Sequence, residues 1–365
     1  MCKLDDEESP KSIREYVRNH SDLDVYEYIQ RGYNGEVYFA KRKKLGDHVV
    51  LKFYGSDENF NSKEEAVILQ KIDHPNVLKV YNAEFVPPIS AVFVTPKIPG
   101  GDLQNIIDTS PVSTKDALNF VAGILKGITE LHSQHNLVHR DLKPGNILIS
   151  AENESIIADL GSVKKLSAAN NYTTTSKATT LYLPPESIIE KEYYFQSDLY
   201  QIGLILYQLV GGHFPVNEPL EFLTERELKK LESLKGSAWS MAYNDFIEKK
   251  ITNGKLADRS KLPTYLPSKF KRILNKALHK DYDSRYANSA DFLGDVYLLR
   301  RSTPNITKNR NHLLFEFENG ISFRVSRNAK GENILEKKKD GGSWRQHKQG
   351  HDGSLLSMYQ FLHAL

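Results

Sequence analysis

The sequence predicts an α+β chain built from three units: a small, mostly β unit, a larger helical unit, and a small C-terminal module of strands and one helix. Three observations support this organisation. Short runs rich in β-branched and aromatic residues, separated by turn residues, fill positions 25–95. Apolar residues at helical spacing dominate positions 117–301, and apolar–polar alternation returns after position 305.

The first unit is predicted to be a sheet with a single helix. Its strands are expected at Val25–Gln30, Val37–Ala40, Val49–Phe53, Val77–Glu84 and Ala91–Thr95. The helix is expected at Ser62–Ile72, because His74-Pro75-Asn76 ends it. Residues 1–22 form a polar N-terminal extension with one short helix through Ile13, Tyr16 and Val17.

The second unit is predicted to be mostly helical. Its helices are expected at Ala117–His132, Ser197–Val210, Pro267–His279 and Asn288–Arg301. The charged stretch 217–266 carries leucines near helical spacing, which predicts a solvated helical pair.

The third unit, residues 305–365, is predicted to be a β-meander covered by a helix. Apolar residues alternate on both sides of Asn319-Gly320, a dipeptide that favours a type I′ hairpin turn. The apolar set is Leu313, Phe315, Phe317, Ile321, Phe323 and Val325. Further strands are expected at Asn333–Lys338 and around Trp344, and Ser354 is expected to cap a final helix.

The composition excludes several classes of protein. Of 365 residues, 39% are hydrophobic and 26% charged, which is typical of a globular protein with a sizeable core. Neither a secretory signal pattern nor an apolar run long enough to span a bilayer is present, so no membrane association is expected. The one cysteine, Cys2, excludes an internal disulfide and a cysteine-built metal site, and it fits the reducing cytoplasm, which is the expected location.

One loop carries the strongest chemical signal. His139-Arg140-Asp141-Leu142-Lys143-Pro144-Gly145-Asn146 lies between a helical pattern and the apolar strand Ile147-Leu148-Ile149. A carboxylate two residues before a lysine and five before an asparagine could supply a base, a positive charge for a transferring phosphoryl group and a metal ligand. Phosphoryl transfer needs all three.

Further motifs stand before and after this loop. They are the glycine-containing loop Gln30–Val37 with Gly32 and Gly35, the strand Val49-Val50-Leu51-Lys52, the turn Asp159-Leu160-Gly161, the segment Ala178–Glu186, the pair Asp198 and Gly203, and the segment Asp281–Arg285. Taken singly, a hairpin, a turn or an edge lysine would explain the first three. Their order together resembles that of eukaryotic-type Ser/Thr protein kinases over roughly residues 23–300.

This resemblance implies a bilobal protein-kinase fold, with an N-lobe at 23–96 and a C-lobe at 97–300, followed by an accessory module at 305–365. It implies Ser/Thr protein kinase activity with ATP and Mg²⁺, with Mn²⁺ as an alternative metal. Asp141 would be the catalytic base, assisted by Lys143. Lys52 would hold the phosphates with Glu65 as its ion-pair partner.

The resemblance also assigns positions around the nucleotide and the metal. Asn146 and Asp159 would bind the metal. The residues implied to contact the nucleotide are Gly32, Gly35, Val37, Val50, Lys52, Thr95, Lys97, Ile98, Asp102 and Leu148. Glu186 and Arg285 would form a largely buried ion pair that braces the C-lobe. Thr179 matches a threonine near the catalytic aspartate, and Asp198 matches an aspartate on the following helix.

A phosphorylation switch is a further hypothesis. Counting back from Glu186 by the family's spacing selects Thr175 as the phosphorylated residue. Arg140 and Lys164 could converge on a phosphate there, which would order the segment through charge-assisted hydrogen bonds.

Two departures from the family pattern and two other functions bear on this interpretation. Gln30 replaces one glycine of the phosphate loop, and Gly145 replaces a common glutamate, so no preference for basic substrates is predicted. A pseudokinase that binds nucleotide or partners without transfer is one alternative. A small-molecule phosphotransferase is the other, because Pro144-Gly145-Asn146 also resembles the loop of antibiotic and choline kinases.

The C-terminal module differs from the rest of the chain in charge. Residues 301–365 carry eleven Lys/Arg against six Asp/Glu, whereas the preceding 300 residues carry 38 against 40. A basic strip lies beside Trp344 and consists of Lys337, Lys338, Lys339, Arg345 and Lys348. It could bind an acidic protein or a nucleic acid backbone, or be a solvated strand edge blunted by lysines. We expect the module to recruit a protein substrate or another partner.

Overall fold

A computed structural model describes residues 10–30, 36–55, 63–86, 90–166, 172–174 and 180–365 of the chain. The described residues form a β-rich N-lobe, a helical C-lobe and a separate C-terminal sheet with its own helix. The predicted bilobal fold and the additional module are confirmed.

In the part of the chain that the structure describes, the N-lobe is an antiparallel sheet with two helices. Its elements are α1 (Lys11–Asn19), β1 (Leu23–Gln30), β2 (Glu36–Arg42), β3 (His48–Gly55), α2 (Lys63–Lys71), β4 (Asn82–Val86) and β5 (Ser90–Pro96). Within the described residues the strand order is β1-β2-β3-β5-β4. Ile13 and Val17 of α1 are buried against Leu51 and Phe53 of β3, so the N-terminal helix belongs to the core of this lobe.

One predicted strand of the N-lobe is wrong in part. Val77–Glu84 was expected to be extended throughout, but β4 begins only at Asn82. The Leu78 N–H donates to Ile157 O over 2.8 Å, and the Ile157 N–H donates to Asn76 O over 2.9 Å. The backbone from Asn76 to Leu78 therefore pairs with the C-lobe instead of the N-lobe sheet, a long-range choice that local sequence does not encode.

The C-lobe is built around two buried helices, α4 and α6. Its helices are α3 (Leu103–Thr109), α4 (Thr114–Thr129), α5 (Pro185–Ile189), α6 (Phe195–Leu209), α7 (Glu225–Glu232), α8 (Gly236–Thr252), α9 (Ser268–Ala277) and α10 (Ser289–Arg301). Its short strands are β6 (Leu137–Val138), β7 (Ile147–Ile149), β8 (Ser155–Ile157), β9 (Lys164–Lys165), β10 (Thr173–Thr174) and β11 (Glu192–Tyr193). The four predicted helices are confirmed as α4, α6, α9 and α10, and the charged stretch contains the helical pair α7 and α8.

The C-terminal module is a meander packed under one helix. Its elements are β12 (Asn305–Lys308), β13 (His312–Glu316), β14 (Ile321–Arg327), β15 (Asn333–Lys339), β16 (Arg345–Gln346) and α11 (Leu355–Ala364). The strands pair antiparallel in chain order. Phe315 faces Phe323 across the sheet, and Met358 and Leu362 of α11 join them in one buried cluster. The Ser354 hydroxyl caps α11 by accepting the Ser357 N–H. The predicted hairpin, later strands and final helix are confirmed, and β12 is an additional strand.

The predicted type I′ turn of the hairpin is wrong. Phe317 N–H donates to Ile321 O over 2.9 Å, which closes a three-residue loop of Glu318, Asn319 and Gly320. Gly320 has a left-handed conformation, with φ +76°, and Asn319 is not in that region. A type I′ turn requires positive φ at both central residues, whereas a three-residue hairpin loop needs it only at its last position.

The module is attached to the C-lobe through the start of α4. The Ile306 N–H donates to Thr114 Oγ1 over 2.8 Å, and the Lys115 N–H donates to Asn305 Oδ1 over 3.1 Å. At the other end, His363 Nε2 lies 2.8 Å from Tyr265 O. These contacts tie both β12 and α11 to the C-lobe.

Among the described helices, none is both long and apolar enough to cross a membrane.

Candidate active site

A cleft between the N-lobe sheet and the C-lobe encloses a cavity of about 260 Å³. Its lining includes most residues that the sequence assigned to nucleotide and metal. These are Val37, Val50, Lys52, Thr95, Lys97, Ile98, Asp102, Asn146, Leu148 and Asp159. Gly32 and Gly35 of the glycine-containing loop lie outside the described residues. The cavity has an apolar interior with a few polar groups, the usual character of a cofactor pocket.

The register of the sheet explains how the N-lobe lines this cleft. Val37 of β2 faces Lys52 of β3, and Val50 of β3 faces Thr95 of β5. Alternate residues of a strand point to the same side, so Val50, Lys52 and Tyr54 share one face. The opposite side of the cavity is formed by Leu148 of β7, which makes an isolated bridge with Asp102.

Lys52 pairs with Asp159 across the cleft. Lys52 Nζ lies 2.5 Å from Asp159 Oδ1, and both side chains are mostly buried. The sequence-based interpretation gave Lys52 a partner in Glu65 of α2, but the Glu65 side chain lies outside the described residues. Asp159 has a left-handed backbone conformation, with φ +58°, which is strained for a residue other than glycine.

Tyr54 completes this cluster, and the sequence analysis did not single it out. Its hydroxyl donates to Asp159 Oδ1 over 3.1 Å, and Lys52 Nζ lies 5.0 Å from its ring centroid. A Cβ at Gly161 would lie 2.1 Å from Tyr54 Cε1, so the tyrosine ring explains why glycine follows Leu160. The spacing of two from Lys52 along a strand is the signal that could have identified Tyr54.

The two acidic groups of this cluster differ in protonation. Burial alone would raise the pKa of Asp159, but the Lys52 ammonium holds the pKa below its ordinary value. Burial and the Asp159 charge raise the pKa of the Tyr54 hydroxyl well above its ordinary value. At neutral pH Asp159 is therefore an ionised carboxylate and Tyr54 a neutral hydrogen-bond donor.

Asp141, Lys143 and Asn146 form a second cluster on the loop between β6 and β7. Lys143 Nζ donates to Asp141 Oδ2 over 2.9 Å, and Asn146 Nδ2 donates to the same oxygen over 3.0 Å. Asn146 Nδ2 also donates to Asp141 O over 2.7 Å, which fixes the turn. Asp141 Oδ1 is buried and has no hydrogen-bond partner among the described residues. That oxygen is therefore held in place, and no described residue uses its lone pairs.

Asp198 of α6 shapes this loop from behind. Its carboxylate is fully buried and accepts the backbone N–H groups of His139 and Arg140 over 2.9 and 3.0 Å. His132 Nε2 and the Tyr193 hydroxyl also bond to it, at 2.8 and 2.9 Å. Arg140 has φ +72°, a conformation that side-chain-bearing residues rarely adopt, and these bonds stabilise it.

The Arg140 side chain connects the loop to the segment after Asp159. Its Nε donates to Ser162 O over 2.6 Å, and its Nη1 donates to Thr174 O over 2.9 Å. Lys164 lies in β9, which pairs with β6 immediately before the loop. Thr175 and Thr179 lie outside the described residues, so the phosphorylation switch stays a prediction.

The predicted Glu186–Arg285 ion pair is present and buried. Arg285 Nη1 and Nη2 donate to the two Glu186 oxygens over 2.8 and 2.7 Å, a bidentate arrangement. Both side chains are almost fully inaccessible, at 0% and 1% exposure. The Ser197 hydroxyl donates to Glu186 as well, so the pair joins α5, α6 and the segment before α10.

The oxygen ligands around the cavity fit Mg²⁺. Asp159 supplies an ionised carboxylate, and Asn146, whose Nδ2 is used by Asp141, has an amide oxygen for a cation. Hard cations prefer such ligands, and Mg²⁺ commonly combines one or two protein ligands with phosphate oxygens. In the described part of the chain, no group of three or more His, Cys, Asp or Glu side chains could hold a metal by itself.

One residue of the basic strip, Lys338, lies over the ring of Trp344. Arg324 and Lys338 lie over the Trp344 ring, at 4.7 and 5.3 Å from its centroid, and Arg324 also pairs with Glu336 at 2.7 Å. Lys337 lies over the Phe323 ring and faces Arg345 across the sheet. The Trp344 ring is therefore already in contact with cations of its own sheet.

The fold and the two clusters define a phosphotransferase-type cleft between two lobes. Residues 23–297 match the protein kinase domain family. The chain belongs to that family.

Named relatives include kinases of several kinds. The chain is 27% identical to dual specificity mitogen-activated protein kinase kinase 1 of Dictyostelium discoideum over 57% of its own length and 32% of the relative's. It is 28% identical to 3-phosphoinositide-dependent protein kinase 1 of Arabidopsis thaliana over 66% of its length and 52% of the relative's. It is 27% identical to the probable serine/threonine-protein kinase PknB of Lactococcus lactis subsp. lactis over 79% of its length and 44% of the relative's. The chain thus matches about half or less of each of these three relatives.

Proposed function

We propose that this protein is an active Ser/Thr protein kinase, which transfers the γ-phosphoryl group of MgATP to hydroxyl groups of proteins. The acceptors include its own activation segment, the chain between Asp159 and Glu186. One observation carries the proposal. Asp141, with a buried carboxylate oxygen that has no partner among the described residues, stands on the same cleft-lining loop as Asn146, opposite the Lys52–Asp159 pair. A chain that served only as a scaffold would have no physical need for these strained and paired charges.

In this proposal each side chain has a defined task. Asp141 Oδ1 accepts the proton of the substrate hydroxyl while the hydroxyl oxygen bonds to the γ-phosphorus of ATP. At the same time the bond between the γ-phosphorus and the oxygen that bridges it to the β-phosphate breaks, and ADP leaves. Lys143 holds the other Asp141 oxygen and adds positive charge beside the transferring group. Lys52 directs its ammonium into the cavity, where phosphates would lie. Asn146 and Asp159 would hold Mg²⁺, which when bound neutralises charge on the phosphates.

The experiment that tests this function is phosphate transfer from labelled ATP to a generic protein substrate, with Asp159→Asn as the control. Wild-type protein is expected to label the substrate or itself, and Asp159→Asn is expected to bind nucleotide while labelling neither. If the wild-type protein binds nucleotide but transfers label neither to the substrate nor to itself, the chain is a pseudokinase. Turnover of ATP with a small hydroxyl acceptor but without labelled protein would make it a small-molecule phosphotransferase.

The Glu186–Arg285 brace favours the protein kinase over the small-molecule enzyme. In the kinase family this pair supports the end of the segment that receives a protein substrate. Here it anchors Glu186 four residues after Tyr182, whose hydroxyl bonds to Gln208 of α6 at 3.1 Å. A rigid platform at this place is useful for a chain-like substrate and unnecessary for a small one.

We also propose a cytoplasmic location, supported by the single cysteine in 365 residues. Fluorescent tagging of the full chain tests it, and accumulation at a membrane would contradict it.

A further inference from the structure

A second cavity, of about 560 Å³, lies in the C-terminal module and shares no lining residue with the nucleotide cleft. It opens where the turn between β12 and β13 and the end of β14 meet the first turn of α11. All of its lining residues fall within 308–359, a stretch that the structure describes throughout. No kinase motif accounts for this cavity.

The strand register shows which residues face it. Leu313 pairs with both Lys308 and Val325, so these three side chains share one face of the sheet. Arg327 follows Val325 by two residues and lies on the same face, opposite Asn333. This is the face that α11 covers. The cavity is a groove at the end of β14, where Val325 and Arg327 line it together with Leu355 of α11.

The groove combines an apolar floor with a cationic mouth. Val325 and Tyr359 on the floor are 4% and 6% exposed, and Leu313 and Leu355 beside them are half-buried. Lys308 and Arg327 at the mouth are exposed. None of the residues that line the cavity is acidic. The lining therefore attracts a negative charge and offers apolar surface next to it.

We propose that this groove binds an acidic peptide segment of a protein partner. One large apolar side chain of the segment would pack on Val325, Leu313 and Leu355, while its carboxylates would meet Lys308 and Arg327. The asparagines that also line the groove, Asn309 and Asn311 among them, can pair with the peptide backbone. An apolar centre with charged groups at its rim is the usual composition of a specific protein interface.

A nucleic acid fits this groove less well. Base recognition by single-stranded nucleic acid sites relies on an aromatic ring whose face is open for stacking. The aromatic residue of the groove, Tyr359, is 6% exposed and packs against Tyr265 and Phe315 instead. The other apolar groups of the groove, Val325, Leu313 and Leu355, are aliphatic and favour an aliphatic or benzyl side chain.

Fluorescence polarisation with the full chain tests the proposal. The probe is a fluorescein-labelled peptide, Glu-Glu-Asp-Phe-Asp-Glu-Glu, compared with one analogue in which serine replaces phenylalanine and one in which amides replace every carboxylate. We expect saturable binding of the probe with a dissociation constant below about 1 mM. The dissociation constant of either analogue is expected to be at least roughly tenfold higher. An absence of saturable binding, or equal binding of the three peptides, overturns the proposal.

Two matched double variants locate the binding site. Lys308→Gln/Arg327→Gln removes the cations of the groove mouth, and Lys339→Gln/Lys348→Gln removes the same charge from exposed positions that do not line the groove. The first is expected to weaken probe binding at least about tenfold, and the second less than about threefold. All four side chains are exposed, so both variants should keep the thermal unfolding midpoint of the wild type.

Three results would contradict the assignment. Unchanged binding by the Lys308→Gln/Arg327→Gln variant would place the peptide elsewhere. Equal weakening by both variants would mean that only the overall charge of the module acts. Tighter binding of a thymidine oligonucleotide than of the peptide, with the same dependence on Lys308 and Arg327, would make the groove a nucleic acid site. Each readout is independent of phosphoryl transfer, so it stands or fails apart from the kinase activity.

Discussion

Asp141 and Asp159 belong to one cleft but have different electrostatic surroundings. Asp159 forms a close ion pair with Lys52 and accepts a bond from Tyr54. Asp141 uses one oxygen for Lys143 and Asn146 and keeps the other without a partner among the described residues. A carboxyl group that binds a metal has to be ionised, and a base needs a lone pair in reach of a proton, so the two settings match the two proposed roles.

Replacing either central charge is predicted to abolish transfer. Lys52→Met removes the cation that faces the phosphates, and Asp141→Asn removes the base. Loss of a single group that stabilises a transition state typically costs about 10²–10³-fold in rate, and we expect at least that for each variant. Steady-state rates with labelled ATP check this, with circular dichroism as the control for folding. Wild-type rates in both variants would refute the assignment.

Thr175→Ala is predicted to lower activity by removing a phosphorylation site. Arg140 Nη1 donates to Thr174 O over 2.9 Å, so a buried guanidinium contacts the residue that precedes Thr175 in the chain. A phosphate on Thr175 carries about −2 charge and would order the segment. Mass spectrometry of the segment and rates of the variant test this together, with Thr173→Ala as the control. Full activity of Thr175→Ala without any phosphate on the segment would exclude the switch.

At the scale of elements, α6 holds the catalytic loop in shape. Its Asp198 accepts the N–H groups of two successive loop residues, and its Gln201 accepts the Leu142 N–H over 2.8 Å. Three backbone N–H groups of the loop, those of His139, Arg140 and Leu142, are thus fixed by one helix. The loop geometry depends on these bonds, because Arg140 has a backbone conformation that it would not adopt by itself.

Asp198→Asn is predicted to destabilise the C-lobe by about 3–5 kcal/mol, since an amide cannot replace a buried carboxylate that accepts from several donors. Burial would raise the pKa of Asp198, but the hydrogen bonds from the His132 side chain and the His139 backbone hold the pKa below its ordinary value. The Asp198 carboxylate therefore contributes its whole stabilisation to the free energy of unfolding above the unfolded-state pKa of about 3.9. This stabilisation is lost as the pH falls through the lower folded-state pKa.

Denaturant unfolding of the wild type and the variant across this acidic range measures the difference. Asp245→Asn is the matched control, because Asp245 forms an exposed pair with Lys249 that should contribute less than about 1 kcal/mol. A constant difference between wild type and Asp198→Asn at every pH would contradict the assigned cause.

At the scale of the whole molecule, the C-terminal module is bound to the C-lobe away from the nucleotide cleft. Its contacts run through Thr114 at the start of α4 and through Tyr265 before α9. Lys115 also pairs with Glu318 of the hairpin loop at 3.1 Å. None of the residues that line the nucleotide cavity lies in the module. This arrangement suits a recruiting element better than a catalytic one.

Deleting residues 305–365 is predicted to leave labelling of a generic substrate within about threefold of the wild-type rate, while capture of the acidic peptide is lost. The reason is that the deletion removes contacts to α4 and Tyr265 but no group of the cleft. Rates are compared at a temperature where both proteins are folded, as judged by thermal unfolding. A collapse of basal activity in a stably folded deletion variant would instead make the module an activator.

The sequence by itself determined most of the helices and strands and which residues line the cleft. Local periodicity and turn residues specified most helices and strands, and the positions of Lys52, Asp141, Asn146 and Asp159 in recognisable motifs sufficed to predict that they meet. Only the tertiary structure decided that Lys52 contacts Asp159, that Tyr54 bonds to the same oxygen, and that the backbone from Asn76 to Leu78 pairs with β8. It also decided the open groove beside Val325. Motifs and periodicity depend on neighbours a few residues apart, whereas these contacts join residues far apart in the chain and depend on how the lobes and the module pack.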